Sequence, residues 1–257
     1  DNLEGLILKE GPETVAAFIA EPVNGSGGVI VPPPGYFEKI QAILRKYDIL
    51  FIVDEVISGF GRTGNMFGSE TYGLKPDIMT VAKALSASYL PISATLVSDD
   101  IHQAMLDESR KQGVFAHGVT YAGHPVCAAV ALETLKIYRE RDTVGHVRSV
   151  APHFLRRLTA LAEHPLVGET RGVGLIGAIE IASDKARRTS FPAQMGVGPR
   201  IQARAMEHGV IVRAIREAIA LCPPLIITPA QIDKLFDGVA RALDDVQREL
   251  GAAAQAS

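Results

Sequence analysis

An acid and an amine each stand directly after an apolar run in this chain: Asp54 follows Ile49-Leu-Phe-Ile-Val53, and Lys83 follows Asp77-Ile-Met-Thr-Val-Ala82. Short apolar runs bounded by turn residues read as buried strands of a parallel sheet. The carboxyl ends of such strands are the edge at which open α/β sheets hold ligands. Taken singly, each residue has an ordinary reading, the aspartate as a turn or capping residue and the lysine as a solvated charge. The pair says more. An amine can form a Schiff base with a carbonyl, and a carboxylate can face a protonated ring nitrogen. Both at neighbouring strand ends are what pyridoxal phosphate needs.

Other motifs carry less. Gly172-Val-Gly174-Leu-Ile-Gly177 satisfies the glycine spacing of a dinucleotide fingerprint, which needs a strand before it and a helix after it. Polar Glu169-Thr-Arg171 precedes it and the strand-like Ala178-Ile-Glu-Ile181 follows, so tight strand entry is the better reading. Asn24-Gly25-Ser26 reads as a turn. Cys127 and Cys222 are the two cysteines and make no disulfide framework,. No metal ligand set is expected.

The elements that must position Asp54 and Lys83 follow an α/β pattern. Val15-Ala-Ala-Phe-Ile-Ala20 reads as a buried strand, the helical spacing of Phe37, Ile40 and Leu44 as a crossover helix, and Ile49–Val53 as the next buried strand,. Strands 77–82 and 92–97 follow, with Asp99 or Asp100 to cap a helix, and 125–138 is helical. Charge density rises at Arg139-Glu-Arg-Asp142, so the domains are expected as 1–140 and 141–257. The second part reads as α+β, with a helix over 146–162, a strand pair near 173–182, a helix over 199–208, short strands near 210 and 219, and a last helix. That last helix opens on the capping box Thr228-Pro-Ala-Gln231 and carries the stripe Ile232, Leu235, Phe236, Val239, Leu243, Val246 and Leu250,.

Composition narrows the function classes. With 257 residues, 47% of them hydrophobic, and a net charge of −3, the chain can bury a large core,. It has no basic face that would argue for nucleic acid or an anionic membrane as partner. No apolar run is long enough to span a bilayer, and Asp1-Asn2-Leu3-Glu4 is acidic where a signal peptide would be basic,. A cytoplasmic location and a small-molecule site are the expectations.

Longer strings around the two residues are more specific. Glu21-Pro-Val-Asn-Gly-Ser-Gly-Gly28, Val31-Pro-Pro-Pro-Gly35, Asp54-Glu-Val-Ile-Ser-Gly-Phe-Gly-Arg-Thr-Gly64, Pro76-Asp-Ile-Met-Thr-Val-Ala-Lys83 and His117-Gly-Val-Thr-Tyr-Ala-Gly-His-Pro125 occur in that order. With them the chain resembles the class III pyridoxal-phosphate aminotransferases of fold type I. The resemblance implies a large cofactor domain, a mostly parallel sheet with helices on both faces, and a smaller α+β C-terminal domain. It also implies roles. Lys83 is similar to the lysine that bonds the cofactor, Asp54 to the partner of the pyridine nitrogen, and Val56 to the residue pressed on the ring. Thr120, with the backbone of Val119, resembles the segment that reaches the cofactor phosphate of the neighbouring subunit in a homodimer. Arg213, in Gly209-Val-Ile-Val-Arg213-Ala, resembles the arginine that binds the substrate carboxylate.

Departures refine the substrate class. Ornithine- and 4-aminobutyrate-type members carry a glutamate at the place of Ser26 and a glutamine at the place of Ile57. Ala82-Lys83-Ala-Leu-Ser-Ala-Ser-Tyr-Leu-Pro-Ile-Ser93 and Ile219-Ala-Leu-Cys-Pro-Pro-Leu225 resemble the ω-amine–pyruvate branch instead, although Arg216-Glu217 replaces its usual Gly-Asp pair. The implied reaction moves an amino group from an amine or ω-amino acid donor to a 2-oxo acid acceptor. The resemblance also places the chain in the C-terminal part of such an enzyme, without the N-terminal part that holds the phosphate loop. Two other readings stay open: another fold type I enzyme, such as a racemase, mutase or decarboxylase, and an inactive fragment or interaction module.

Overall fold

A computed structural model of the chain describes residues 2–255. They form two compact units. The first holds the residues up to Pro22 with Pro32–Gly61 and Asn65–Asp142, and the second holds Val23–Val31, Arg62–Gly64 and the chain from Thr143 onward. Two short stretches from the first half of the sequence therefore belong with the second unit.

In the first unit, helix α1 (Asn2–Glu10) leads into strand β1 (Ala17–Ala20), and α2 (Tyr36–Lys46) crosses over to β2 (Leu50–Asp54). The short helix α3 (Gly68–Tyr72) precedes β3 (Ile78–Val81), a one-turn 3₁₀ segment covers Lys83–Ser86, and β4 (Ala94–Val97), α4 (Asp99–Gln112) and α5 (Pro125–Glu140) complete the unit. The sheet order is β1-β2-β3-β4. The first three strands are parallel and β4 runs antiparallel to β3. Helix α2 forms because Phe37, Ile40, Gln41 and Leu44 recur at helical spacing, and those four residues are buried,. Phe37, Ile40 and Leu44 share a core cluster with Ile7, Phe51 and Val53. The buried-strand reading of the sequence holds for only part of each strand. Phe51 and Val53 are buried, but Ile19 is 61% exposed and Leu50 38%, and every residue of β4 is exposed. An apolar run reports hydrophobicity along the strand and not whether both faces are covered.

The second unit begins with α6 (Thr143–Ala160), which buries Val147, Val150, Phe154 and Leu158 along one stripe with Pro152 inside the helix. The antiparallel sheet has the order β5-β6-β8-β7, with β5 (Val167–Val173), β6 (Ile176–Ile181), α7 (Val197–Glu207), β7 (Arg213–Ile215), β8 (Ala218–Leu221) and α8 (Pro229–Gln255) in chain order. In the first unit Ser98, and not Asp99 or Asp100, caps α4, its Oγ accepting the Ile101 N–H. In the second unit two expectations need correction. A strand does occupy Glu169-Thr-Arg171, because β5 lies at the sheet edge, where Glu169 faces solvent and the Arg171 guanidinium is satisfied by Glu180 and the Gly28 and Val29 carbonyls,. The expected strand near 210 starts at Arg213 instead. The dinucleotide reading still fails, since Gly174 turns β5 into strand β6 and not into a helix. Gly174 has φ 58°, and a Cβ there would stand 2.4 Å from the Arg62 carbonyl oxygen, so backbone approach explains that glycine.

Helix α8 closes the core as its sequence predicts. Thr228 N–H donates to Gln231 Oε1 at 2.9 Å and Gln231 N–H to Thr228 Oγ1 at 3.3 Å, the reciprocal pair of a capping box,. Ile232, Phe236, Val239, Leu243 and Val246 are 1% exposed or less. Each such side chain stabilises the fold by roughly 1.5–3 kcal/mol.

Candidate active site

Asp54 ends β2 opposite Thr80 of β3. Its Oδ1 accepts the Val56 N–H at 2.9 Å, which leaves Oδ2 for another donor. The side chain is half-buried, as is that of Val56. Parallel pairing puts the end of β3 beside it, and Lys83 stands two residues beyond Val81, exposed at the same edge. Neighbouring strands lie about 4.8 Å apart, so the sheet itself brings the acid and the lysine-bearing turn to one edge.

The Lys83 backbone is unusual. Its φ is 42°, and Ala87 and Ser88 in the same turn have φ of 48° and 65°. The left-handed region costs a non-glycine residue about 1–2 kcal/mol, so three such residues within six positions need support. It comes from the turn's own bonds, Leu85 N–H to the Ala82 carbonyl at 2.9 Å and Tyr89 N–H to the Ser86 carbonyl at 3.0 Å. Burial of Leu85 against Phe60, Val81 and Ala131 adds to it.

Beside Asp54 sits a carboxylate that sequence reasoning does not single out. Glu55 is 0% exposed. Its Oε1 accepts Ser69 N–H and Ser69 Oγ–H, both at 2.6 Å, and its Oε2 accepts Ser58 Oγ–H at 2.6 Å and Gly68 N–H at 2.9 Å. Burying an ion costs several kcal/mol, while hydrogen bonds to a charged group return about 1.5–3 kcal/mol each. Four of them outweigh the cost. Glu55 thus fastens the start of α3 and the residues around Ser58 to the end of β2. A glutamate with serines three and fourteen residues on is the only signal in the sequence, and spacing alone does not separate it from a solvated one.

The remaining expected residues belong to other segments. Val119 and Thr120 are exposed on the segment between α4 and α5, where Ala122 N–H donates to the Val119 carbonyl at 2.9 Å. Arg213 opens β7 in the second unit, exposed and paired in register with Ala220. The two residues between β7 and β8 are Arg216 and Glu217, and Arg216 takes φ 54° where the sequence offers no glycine. Ser26 is exposed on a loop closed by the Asn24–Ile30 bridge. Arg171 holds that loop, donating from Nη2 to the Gly28 carbonyl at 2.7 Å and from Nε to the Val29 carbonyl at 3.1 Å.

The sequence model of the family described as "Aminotransferase class-III" matches residues 1–243. The chain belongs to that family. It is 55% identical over 243 residues to the "Probable gamma-aminobutyrate transaminase 2, mitochondrial" of Oryza sativa subsp. indica, a match that covers 95% of this chain and 49% of that protein. It is 52% identical over 250 residues to the "Gamma aminobutyrate transaminase 3, chloroplastic" of Solanum lycopersicum, covering 97% and 48% respectively. The chain thus spans about half the length of the curated relatives it matches. Among solved structures, the omega transaminase from Pseudomonas jessenii in complex with PMP superposes with a TM-score of 0.95 at 50% identity, over 97% of this chain and 55% of that one. The mixed α/β architecture is that of the family's fold.

Class III aminotransferases use pyridoxal phosphate. The residues of this chain fit it on their own chemistry: Lys83 presents an exposed primary amine, and the half-buried Asp54 keeps one oxygen unengaged at the adjacent strand end. No helix among the described residues is long and apolar enough to cross a membrane.

Proposed function

We propose that this chain is the Lys83-bearing, C-terminal part of a transaminase. The enzyme moves an amino group from an ω-amino acid or primary amine to pyruvate or a similar 2-oxo acid, the first product leaving before the second substrate binds. The observation that carries this reading is the placement of Asp54 and Lys83 at the ends of adjacent parallel strands. When bound, pyridoxal phosphate supplies an electron sink for the carbon that loses its proton.

The chain's own residues do the rest. The Asp54 carboxylate holds a positive charge opposite it, an interaction worth up to about 4 kcal/mol near a protein surface, or roughly three pKa units. Lys83 Nζ takes the proton from the donor's carbon and, in the second half of the exchange, delivers a proton to the carbon of the 2-oxo acid, transfers that a positioned amine accelerates by about 10²–10⁴-fold. Val56 flanks the ring. Arg213 anchors the substrate carboxylate as a planar, two-pronged donor. Val119 and Thr120 serve the neighbouring subunit's phosphate in a homodimer.

The absence of a glutamate at Ser26 and a glutamine at Ile57 supports the ω-amine–pyruvate branch. The names of the plant relatives add 4-aminobutyrate as a donor to test. The two cysteines are free thiols, which fits a reducing compartment such as the cytoplasm,. The chain alone, at about half the length of its relatives, is expected to bind cofactor weakly.

The test supplies the full-length enzyme with an amine, or with 4-aminobutyrate, and pyruvate, and quantifies both products. Equal amounts of carbonyl compound and alanine are expected. Racemised or decarboxylated donor without alanine would favour the other fold type I reactions.

A further inference from the structure

We propose that Tyr138 is a positioning residue for Lys83. Its hydroxyl donates to the carbonyl oxygen of Ala84, the residue after Lys83, at 2.7 Å. That carbonyl already accepts the Ala87 N–H at 3.2 Å within the turn, so the tyrosine occupies its second lone pair from outside,. Helix α5 aims Tyr138 at the turn because Ala131, Thr134, Leu135 and Tyr138 recur at helical spacing, the first two buried and the last two packed on the core cluster that holds Leu85,.

The ring of the same tyrosine reaches the other half of the site. It lies 6.4 Å from the Phe60 ring, and Phe60 stacks edge-on to Phe67 at 5.5 Å. Phe60 belongs to the segment that leaves Asp54, and its own φ of 63° is held by a Phe60 N–H bond to the Met66 carbonyl at 2.6 Å. One side chain therefore fixes a strained turn through its hydroxyl and packs on the Asp54 segment through its ring. Two loops that carry left-handed non-glycine residues would otherwise relax independently. Tyr138 couples them and sets where the Lys83 amine points relative to Asp54.

This inference rests on the reading of Lys83 just proposed, and its test separates the two. Tyr138→Phe keeps the ring and removes the hydroxyl. In the full-length enzyme stripped of cofactor, hydrogen exchange followed by mass spectrometry should show the peptide over 82–90 exchanging about tenfold faster, with the β2 and β3 peptides unchanged. In the full-length enzyme the same substitution should lower kcat about tenfold and leave the amine KM within twofold, since binding is kept and aim is lost. Unchanged exchange over 82–90 would show that the hydroxyl does not hold the turn. Faster exchange with unaltered kcat would reduce Tyr138 to a structural part, and either result overturns the proposal. Lys83→Ala, assayed alongside, reports on the lysine alone: if it stays active, the reading of Lys83 fails whatever the exchange data show.

Discussion

The backbone N–H of Glu55 donates to the carbonyl of Thr80 at 2.9 Å, so the bonding between β2 and β3 continues one residue past Asp54. The acid at the end of one strand and the turn that bears the lysine at the end of the other are thereby fixed in register. Glu55 then adds its carboxylate, fully buried among four donors. Main chain and side chain of one residue tie Asp54 both to β3 and to α3.

Glu55→Gln replaces one of those oxygens by an NH₂ group, which must face N–H or O–H donors in either orientation. Leaving such donors unpaired costs about 1–3 kcal/mol each, so the two that face the NH₂ group should cost the variant about 2–6 kcal/mol. For a chain of this size that lowers Tm by at least about 4 °C. Scanning calorimetry of the enzyme checks it, and a Tm within about 2 °C of the parent, well short of that, would show that the carboxylate is replaceable.

Arg216 takes φ 54° in the turn between β7 and β8. Arg216→Gly should stabilise by about 1 kcal/mol, because relief of left-handed strain exceeds the entropy that glycine adds to the unfolded chain. The matching substitution is Gly198→Ala, whose Cβ would stand 2.2 Å from the Arg216 carbonyl oxygen. It should destabilise by roughly 1–3 kcal/mol. Opposite signs in thermal melts support this account of the turn, and equal signs count against it.

His164 gives the fold an acid-side weakness. Burial lowers its pKa, outweighing the attraction of Asp244 at 3.4 Å, and Lys185 adds to the lowering. Its Nδ1 accepts the Leu166 N–H at 3.2 Å, a bond that protonation there would break. The unfolded chain binds the proton more readily than the folded one. The stability this confers is therefore complete above about pH 6.5 and is lost as pH falls through the lower folded value. Urea unfolding at about pH 7.5 and about pH 5.5, on either side of that point, should show a smaller loss for His164→Gln than for the parent. An equal loss would remove His164 as its source.

Much of the fold and site is legible in the sequence, for reasons that differ by residue. Asp54 and Lys83 stand out because strand periodicity and their place just after apolar runs both point to the same sheet edge. The α8 cap stands out because Thr228 and Gln231 interact locally. Exposure of Ile19 and the edge position of β5 are not legible, since both depend on which element covers a face. Glu55 and Tyr138 escape for a similar reason. Glu55 meets Ser69 fourteen residues on, and Tyr138 meets Ala84 fifty-four residues back, separations at which no sequence pattern marks a partner.

On the function proposed above, Lys83 is the lysine that bonds the cofactor. Borohydride treatment of the full-length enzyme with pyridoxal phosphate makes that bond permanent, and peptide mapping then locates it. One modified peptide is expected, spanning the end of β3 and the turn after it, with the mass increment on Lys83 and none in Lys83→Ala. A stoichiometric increment on any other lysine, or an undiminished one in Lys83→Ala, would contradict it.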